Sequence, residues 1–249
     1  MILKKWEALP ASMQTEAVKP YYDALKRKTL SLILKRLFDV VVSLFLLILL
    51  SPVFLVLSIM IKADSKGPVM FRQVRVTQYG KTFRIFKFRT MVTNAEQLGT
   101  QVTVGGDSRI TKMGHRLRKC RLDELPQLLN ILRGEMSFVG TRPEVEKYVA
   151  RYTPEMMATL LLPAGVTSLA SVYYKDEAEL LNNTEDADRT YTELVLPGKM
   201  RYNLRAIKTF GFWNDIKVLF ITILAMLGKE NMEVDIASGK TEVNQKNNE

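Results

Sequence analysis

The sequence predicts an α+β fold that is predominantly helical, with a re-entrant membrane helix, a small β-hairpin and amphipathic helices at the membrane interface. Three observations predict this architecture. An uncharged apolar run covers 40–61 and contains Ser51-Pro52 near its middle. Strand-forming residues surround a turn signal at Tyr79-Gly80. Apolar residues recur at helical spacing in later segments such as 122–132.

The apolar run is long enough to enter a membrane, because its 22 residues span about 33 Å as a straight helix, against a bilayer core of about 30 Å. Pro52 removes a backbone donor and predicts a bend. Basic residues flank both ends of the run, and such residues stay on the cytoplasmic side. A re-entrant helix over 35–62, broken at Ser51-Pro52, fits these features, and an ordinary transmembrane helix is the alternative.

Residues 1–34 form a predicted amphipathic extension. Their mixture of basic and aromatic residues suits a segment that lies on the membrane surface, and a helix packed on the protein is the alternative. The remaining predicted elements are, in chain order, a hairpin over 69–90, a loop over 96–107, helices over 122–132 (ending at Gly134) and 145–162, an acidic loop over 176–188, an interfacial helix over 218–227 and a disordered polar tail over 228–249.

Composition limits the function. The chain has 249 residues, of which 47% are hydrophobic and 25% charged, which excludes a disordered polymer. A net charge of +10 indicates an anionic partner such as nucleic acid, anionic lipid or a phosphorylated small molecule. One cysteine and one histidine exclude a disulfide framework, zinc fingers and multi-histidine metal sites. Any metal would need oxygen ligands, which favours Mg²⁺.

Positive charge is concentrated after the apolar run. Residues 62–121 carry 14 Lys or Arg and three acidic residues, a net charge of +11. Such a segment beside a membrane favours anionic headgroups or phosphates.

The adjacent carboxylates Asp123 and Glu124, called the dyad below, are the candidate chemical centre. Because proline is tolerated in a first helical turn, Pro126 predicts a helix that begins near residue 122 or 123. Free N–H groups at that end would keep the carboxylates ionised, able to act as a nucleophile or to bind Mg²⁺. Helix capping is the alternative use of such a pair. Arginines that could bind phosphate lie on both sides of the dyad, although lipid headgroups or neighbouring glutamates are alternative partners for them.

Four motifs in this order resemble the monotopic phosphoglycosyl transferases, also called bacterial sugar transferases, over about residues 35–145. They are Lys35-Arg36-x-Phe38-Asp39 through Ser51-Pro52; Gly67-Pro68-Val69-x-Phe71-x-Gln73-x-Arg75 through Lys87-Phe88-Arg89-Thr90-Met91; Arg118-x4-Asp123-Glu124-Leu125-Pro126-Gln127-Leu128-x-Asn130; and Gly134-x-Met136-Ser137-x-Val139-Gly140-x-Arg142-Pro143.

The resemblance implies transfer of a sugar-1-phosphate from a nucleoside diphosphate sugar, expected to be a UDP-sugar, to a polyprenyl (undecaprenyl) phosphate, as the first step of polysaccharide or glycoconjugate assembly. It implies that Asp123 is the nucleophile of a covalent intermediate and that Glu124 binds Mg²⁺. It also implies that residues 63–227 form a cytoplasmic catalytic domain. The expected substrate-binding residues are Arg118, Arg142, Pro143, Lys87 and Arg89.

The resemblance further implies a location at the cytoplasmic face of the bacterial inner membrane, in contact with membrane lipid. It leaves a homodimer open, and departures over 162–170 and at Asn203, Arg205 and Ala206 leave the sugar unassigned. A non-catalytic, basic, membrane-tethered scaffold or binding protein is the alternative function. Nucleic acid is not an expected partner, because the chain carries no nucleic-acid motif, P-loop or dinucleotide fingerprint.

Overall fold

A computed structural model describes residues 2–95, 107–174, 177, 186–226, 232–235 and 240–243. The predicted loop at 96–107 and acidic loop at 176–188 fall largely outside these residues. The helices are α1 (Lys19–Lys26), α2 (Thr29–Leu49), α3 (Ser51–Asp64), α4 (Lys112–Lys119), α5 (Gln127–Arg133), α6 (Glu146–Val149), α7 (Leu169–Tyr173), α8 (Ala187–Thr190), α9 (Leu196–Lys208) and α10 (Phe212–Met226). The strands are β1 (Met70–Val76), β2 (Thr82–Phe88), β3 (Met136–Val139), β4 (Ala164–Thr167), β5 (Met232–Asp235) and β6 (Lys240–Val243).

Helices α2 and α3 bend by 61° where they meet, which confirms the break predicted at Ser51-Pro52. Pro52 lies in the first turn of α3, where its missing N–H costs no helical hydrogen bond. The Ser51 hydroxyl donates to the Ile48 carbonyl at 2.8 Å and so closes the end of α2. Within the described chain no single helix is long and apolar enough to cross a membrane, whereas this bent pair meets the criteria of length and composition.

The face that α2 turns toward the protein is polar, the reverse of a helix in a soluble protein. Its buried residues are Leu32, Lys35, Asp39 and Ser43, which recur at helical spacing. The outward faces of α2 and α3 are apolar instead. Their exposed large side chains are Leu30, Ile33, Leu34, Leu37, Val41, Leu44, Phe45, Ile48, Leu49, Val53, Leu55, Val56, Ile59 and Met60.

The predicted hairpin is confirmed: β1 pairs antiparallel with β2, from Met70 opposite Phe88 to Val76 opposite Thr82. Tyr79, at φ 60°, and Gly80 form its turn, as the sequence predicts. A second, two-stranded sheet joins β3 and β4 in parallel. Together with the helices, these sheets confirm a mainly helical α+β fold.

The N-terminal segment packs on the protein over the described residues up to Lys26, as the alternative to a membrane-surface segment predicts. Its buried side chains join Val76, Tyr79 and the 3₁₀ segment Met156–Leu161 in one cluster. The Lys4 backbone N–H also donates to the Tyr79 hydroxyl at 3.0 Å. Since α2 begins at Thr29, the predicted boundary between residues 34 and 35 lies inside a helix. The buried side chains that the N-terminal segment contributes to this cluster are Leu9, Met13, Val18, Tyr21, Tyr22 and Leu25.

Other predictions are corrected in detail. Residues 145–162 form α6 and a 3₁₀ segment rather than one helix, and Pro154 lies between them. The predicted interfacial helix starts earlier, at Phe212, and exposes Trp213 and Phe220. Within the polar tail β5 pairs antiparallel with β6, where the sequence predicts disorder.

The predicted stop at Gly134 is confirmed, since this residue follows α5 with φ 82°, a conformation that glycine adopts without strain.

Candidate functional site

The dyad lies in a short 3₁₀ turn, Leu122–Glu124, between α4 and α5. Arg121 enters this turn in the left-handed conformation, with φ 56°. The predicted α-helix therefore does not begin at 122 or 123: α5 begins at Gln127, directly after Pro126. The turn presents Asp123 as a buried side chain.

The pKa values of the two carboxyl groups of the dyad are shifted in opposite directions. Burial raises the pKa of Asp123, although Lys87 lowers it in part. Burial also acts to raise the pKa of Glu124, but Arg142 and Lys87 outweigh it and hold that pKa well below its usual range. The prediction that a helix end keeps both carboxylates ionised is thus corrected: two cations ionise Glu124, and burial works against the charge on Asp123.

Two cations clamp one oxygen of Glu124. Lys87 Nζ, from strand β2, lies 2.9 Å from Oε1. Arg142, from the segment after β3, places a guanidinium nitrogen 2.8 Å from the same oxygen. The side chains are 21%, 34% and 11% exposed for Lys87, Arg142 and Glu124, so water screens these ion pairs only in part. The structure thus brings together three residues that the sequence assigned to the site.

Arg118 is a second positive charge that acts on Asp123, besides Lys87. It lies on α4 and its Nε donates to the Thr90 hydroxyl at 3.0 Å. Burial lowers the pKa of Arg118, and the charge of Asp123 opposes that shift, which places the two within electrostatic reach. Asp123 therefore has Lys87 and Arg118 as nearby positive charges.

Arg89 and Pro143 both contact other parts of the protein. The Arg89 guanidinium donates to the carbonyls of Ser65 at 2.7 Å and Ile61 at 3.3 Å, and to that of Lys66, and so caps the end of α3. This placement favours a structural role over the substrate contact that the sequence predicts. Pro143 is buried, and its carbonyl accepts from Arg75 at 3.1 Å.

A buried network behind Arg142 was missed by sequence reasoning. Glu144 accepts a hydrogen bond from the Tyr191 hydroxyl, and Lys199 Nζ lies 3.9 Å from its carboxylate. Lys199 Nζ also pairs with Glu177 at 2.9 Å. The network holds Glu144 in place, two positions after Arg142. Glu144 borders the fourth motif and could have been found there, whereas Tyr191 and Lys199 carry no local signal.

Helix α2 holds the strand that leads to Arg142. Lys35 Nζ donates to the Val139 carbonyl at 2.7 Å and pairs with Asp215 at 2.5 Å. Asp39 accepts from the Ser137 hydroxyl at 3.0 Å and the Phe138 N–H at 3.1 Å. The first motif therefore anchors β3 to the helix.

Helix α3 holds the dyad itself. Its residues Leu57 and Ile61 share a cluster with Phe88 of β2, and Leu122 and Leu125 on either side of the dyad pack against that cluster. The bent helix pair therefore fixes where the dyad, Lys87 and Arg142 stand relative to its apolar outer face.

The dyad is the candidate metal site. Its carboxylate oxygens are the ligands that Mg²⁺ prefers. Among the described residues no three His, Cys, Asp or Glu side chains converge to form a closed metal site. Mg²⁺ commonly binds through one or two carboxylates together with substrate phosphates. The two adjacent carboxylates would supply the protein ligands of such a site.

The model of the bacterial sugar transferase family matches residues 30–229. A UDP-N-acetylgalactosamine-undecaprenyl-phosphate N-acetylgalactosaminephosphotransferase of Aeromonas hydrophila is 37% identical over 78% of this chain and 44% of its own length. UDP-glucose:undecaprenyl-phosphate glucose-1-phosphate transferases of Klebsiella pneumoniae and Caulobacter vibrioides are each 34% identical, over 83% and 79% of this chain and 42% and 71% of their own lengths. The chain thus spans less than half of the Aeromonas and Klebsiella proteins. On this match the chain belongs to the bacterial sugar transferase family.

Proposed function

We propose that the chain transfers a sugar-1-phosphate from a UDP-sugar to undecaprenyl phosphate. The observation that carries the proposal is the buried dyad, in which Asp123 adjoins a glutamate clamped by Lys87 and Arg142. A carboxylate that attacks a phosphate must overcome repulsion between like charges, and adjacent cations supply that compensation. The Aeromonas and Klebsiella relatives are named as transferases that use a UDP-sugar and undecaprenyl phosphate, which supports these substrate classes.

The reaction proceeds in two displacements. An Asp123 carboxylate oxygen attacks the β-phosphorus of the UDP-sugar, the bond between that phosphorus and the bridging oxygen breaks, and UMP leaves. This forms an aspartyl phosphosugar. A phosphate oxygen of the polyprenyl acceptor then attacks the same phosphorus, the bond between that phosphorus and the Asp123 oxygen breaks, and the carboxylate is regenerated. The product is a polyprenyl diphosphate sugar, the substrate for assembly of a larger glycan.

Three cationic residues bind the phosphates in this scheme. Arg118 and Lys87 lie within electrostatic reach of Asp123 and neutralise charge at the phosphoryl group. Arg142 binds the diphosphate, since its fork can hold two phosphate oxygens. Glu124, with Asp123 beside it, would hold Mg²⁺, which when bound neutralises diphosphate charge and stabilises the leaving phosphate.

The apolar outer faces of α2 and α3 support membrane association. Large apolar side chains cover the outer faces of α2 and α3, and such a continuous patch marks a surface that contacts lipid or another partner. We propose that the bent pair enters the cytoplasmic leaflet of the inner membrane and returns. The dyad would then stand at the depth of lipid phosphates, where a soluble nucleotide sugar and a lipid phosphate can meet.

The relatives do not settle the sugar, because the Aeromonas name specifies N-acetylgalactosamine and the Klebsiella name specifies glucose.

The non-catalytic scaffold is the less favoured alternative. A surface that only attracts anions needs exposed cations, whereas this site places the buried Asp123 and the largely buried Glu124 side chain among them.

Activity is tested by incubating the purified protein with Mg²⁺, polyprenyl phosphate and a panel of UDP-sugars, and by measuring UMP release. We expect release with at least one sugar and none for Asp123→Asn. Asp188→Asn is the matched control, because Asp188 is also an ion-paired carboxylate but pairs with Lys147 away from the dyad. Undiminished release by Asp123→Asn would show that this mechanism is wrong.

Re-entry is tested by labelling with a membrane-impermeant maleimide in spheroplasts. Lys28→Cys and Lys66→Cys, before α2 and after α3, are each made in a Cys120→Ser background, which removes the one native thiol. Re-entry predicts that both positions react only after the membrane is permeabilised. Labelling of one position in intact spheroplasts would place the helix ends on opposite sides of the membrane.

A further inference from the structure

We propose that Gln127 is a substrate-contacting residue whose side-chain amide donates a hydrogen bond to the phosphoryl group that Asp123 attacks. The inference rests on the proposed function and adds a residue to it. Gln127 is 1% exposed. Among the described residues neither its Oε1 nor its Nε2 has a hydrogen-bond partner.

Asn130, on the same helix, shows how a buried amide serves the fold. Its Oδ1 accepts from the Phe86 N–H at 2.9 Å. Its Nδ2 donates to the Arg84 carbonyl at 3.0 Å and to Glu135 at 2.7 Å. Asn130 thus ties α5 to strand β2 and to the segment after α5. Gln127, three residues earlier and equally buried, makes none of these bonds.

An amide without partners does not stabilise the fold. Leaving a buried donor or acceptor unsatisfied costs about 1–3 kcal/mol, and an apolar side chain of the same shape avoids that cost. A position selected only for packing would hold leucine or methionine. The amide at this position therefore points to a partner outside the fold.

The backbone places Gln127 on the dyad's side of the helix. Leu125 and Pro126 both have right-handed helical angles, so the winding continues from the dyad turn into α5. Residues three and four apart on a helix share a face. Gln127 follows Glu124 by three positions and Asp123 by four, which places it on the same face of this winding as the dyad.

The chemistry of an amide suits this role. Nε2 donates to a non-bridging phosphoryl oxygen without adding a charge, whereas Lys87 and Arg118 already supply charge. The bond strengthens as negative charge develops on those oxygens, so it acts on the chemical step more than on substrate binding. No bond forms or breaks at Gln127.

The test compares Gln127→Met with Asn130→Ala, measuring thermal unfolding and steady-state UMP release. For Gln127→Met we expect an unchanged or higher Tm, a kcat reduced about 100-fold and a nearly unchanged KM. For Asn130→Ala we expect a lower Tm, since three hydrogen bonds are lost. Wild-type kcat in Gln127→Met would overturn the inference, and so would a fall in Tm that accounts for the lost activity.

Gln127→Glu provides a second test if Gln127→Met does not fold. It keeps the shape but replaces the donor with an anion, so the first displacement, measured as UMP formed before the lipid acceptor is added, should be lost. Wild-type UMP formation would overturn the inference. The proposed function fails separately: it fails if Asp123→Asn remains active, whatever Gln127 does.

Discussion

Glu124 and Arg142 form an ion pair of 2.8 Å although 18 residues separate them in the chain. The pair joins the dyad turn to the segment after β3, and Lys87 adds the hairpin to the same carboxylate oxygen. One carboxylate thus holds three separate parts of the chain at the candidate site.

Glu124→Gln should destabilise the protein as well as stop UMP release. The substitution leaves Lys87 and Arg142 partly buried without their counter-charge. Removing one partner of a fully buried pair costs about 3–5 kcal/mol, and partial exposure places the expected loss at the low end of that range. Chemical denaturation in detergent measures this loss. Arg189→Gln, which breaks an exposed ion pair with Glu193, is the control and should change stability by less than about 0.5 kcal/mol. Equal effects of the two substitutions would contradict the buried clamp.

Substitutions of Arg89 and of Lys87 should have different effects, the first mainly on stability and the second mainly on activity. Arg89→Ala removes hydrogen bonds to the carbonyls at the end of α3 and should lower Tm, with an unchanged KM for the UDP-sugar in the folded fraction. Lys87→Met should reduce kcat strongly with a smaller loss of Tm. A raised KM for Arg89→Ala with wild-type Tm would instead support the substrate contact that the sequence predicts.

Arg121→Gly should be more stable than Arg121→Ala by about 1 kcal/mol. Both substitutions remove the same exposed charge, but only glycine relieves the left-handed backbone at φ 56°. Urea unfolding of the two variants gives the difference. Equal stabilities would show that this backbone conformation is not strained in solution.

Tyr21 should link stability to alkaline pH. Burial, helped by the hydrogen bond to Glu155, raises its pKa to about 12 from 10.0. A pKa that is higher in the folded than in the unfolded state gives stabilisation that is complete below about pH 10 and is lost as the pH rises toward 12.

The measurement compares wild type with Tyr21→Phe by denaturation between about pH 8 and pH 11. The stability difference should stay constant up to about pH 10, after which the wild type should lose stability relative to the phenylalanine variant. Parallel stability curves over the whole range would show that packing of the N-terminal segment on the protein does not raise the pKa of Tyr21.

Local patterns in the sequence predicted the elements whose cause is local. The bend follows from Pro52, and the hairpin follows from strand-forming residues on both sides of Tyr79-Gly80. The order of the motifs also identified Asp123, Glu124 and Arg142 as one group. Two of them are in direct contact, and the third is adjacent in the chain.

What the sequence could not predict depends on contacts between distant residues. Lys35 meets Asp215 across 180 positions, and no periodicity reports such a pair. Lys87 and Arg89 belong to one motif, yet Arg89 follows the last residue of β2 and turns to the end of α3 while Lys87 reaches the dyad. The helix end predicted near Asp123 suggested an ionised carboxylate, but burial by the folded chain raises the pKa of Asp123.

The most direct test of the account is the intact mass of the protein after incubation with Mg²⁺ and its UDP-sugar in the absence of lipid acceptor. We predict an added mass equal to one sugar phosphate, located on Asp123 by peptide mapping, absent from Asp123→Asn and removed when polyprenyl phosphate is added. Product formation by a wild-type enzyme that never carries this adduct would contradict the covalent mechanism.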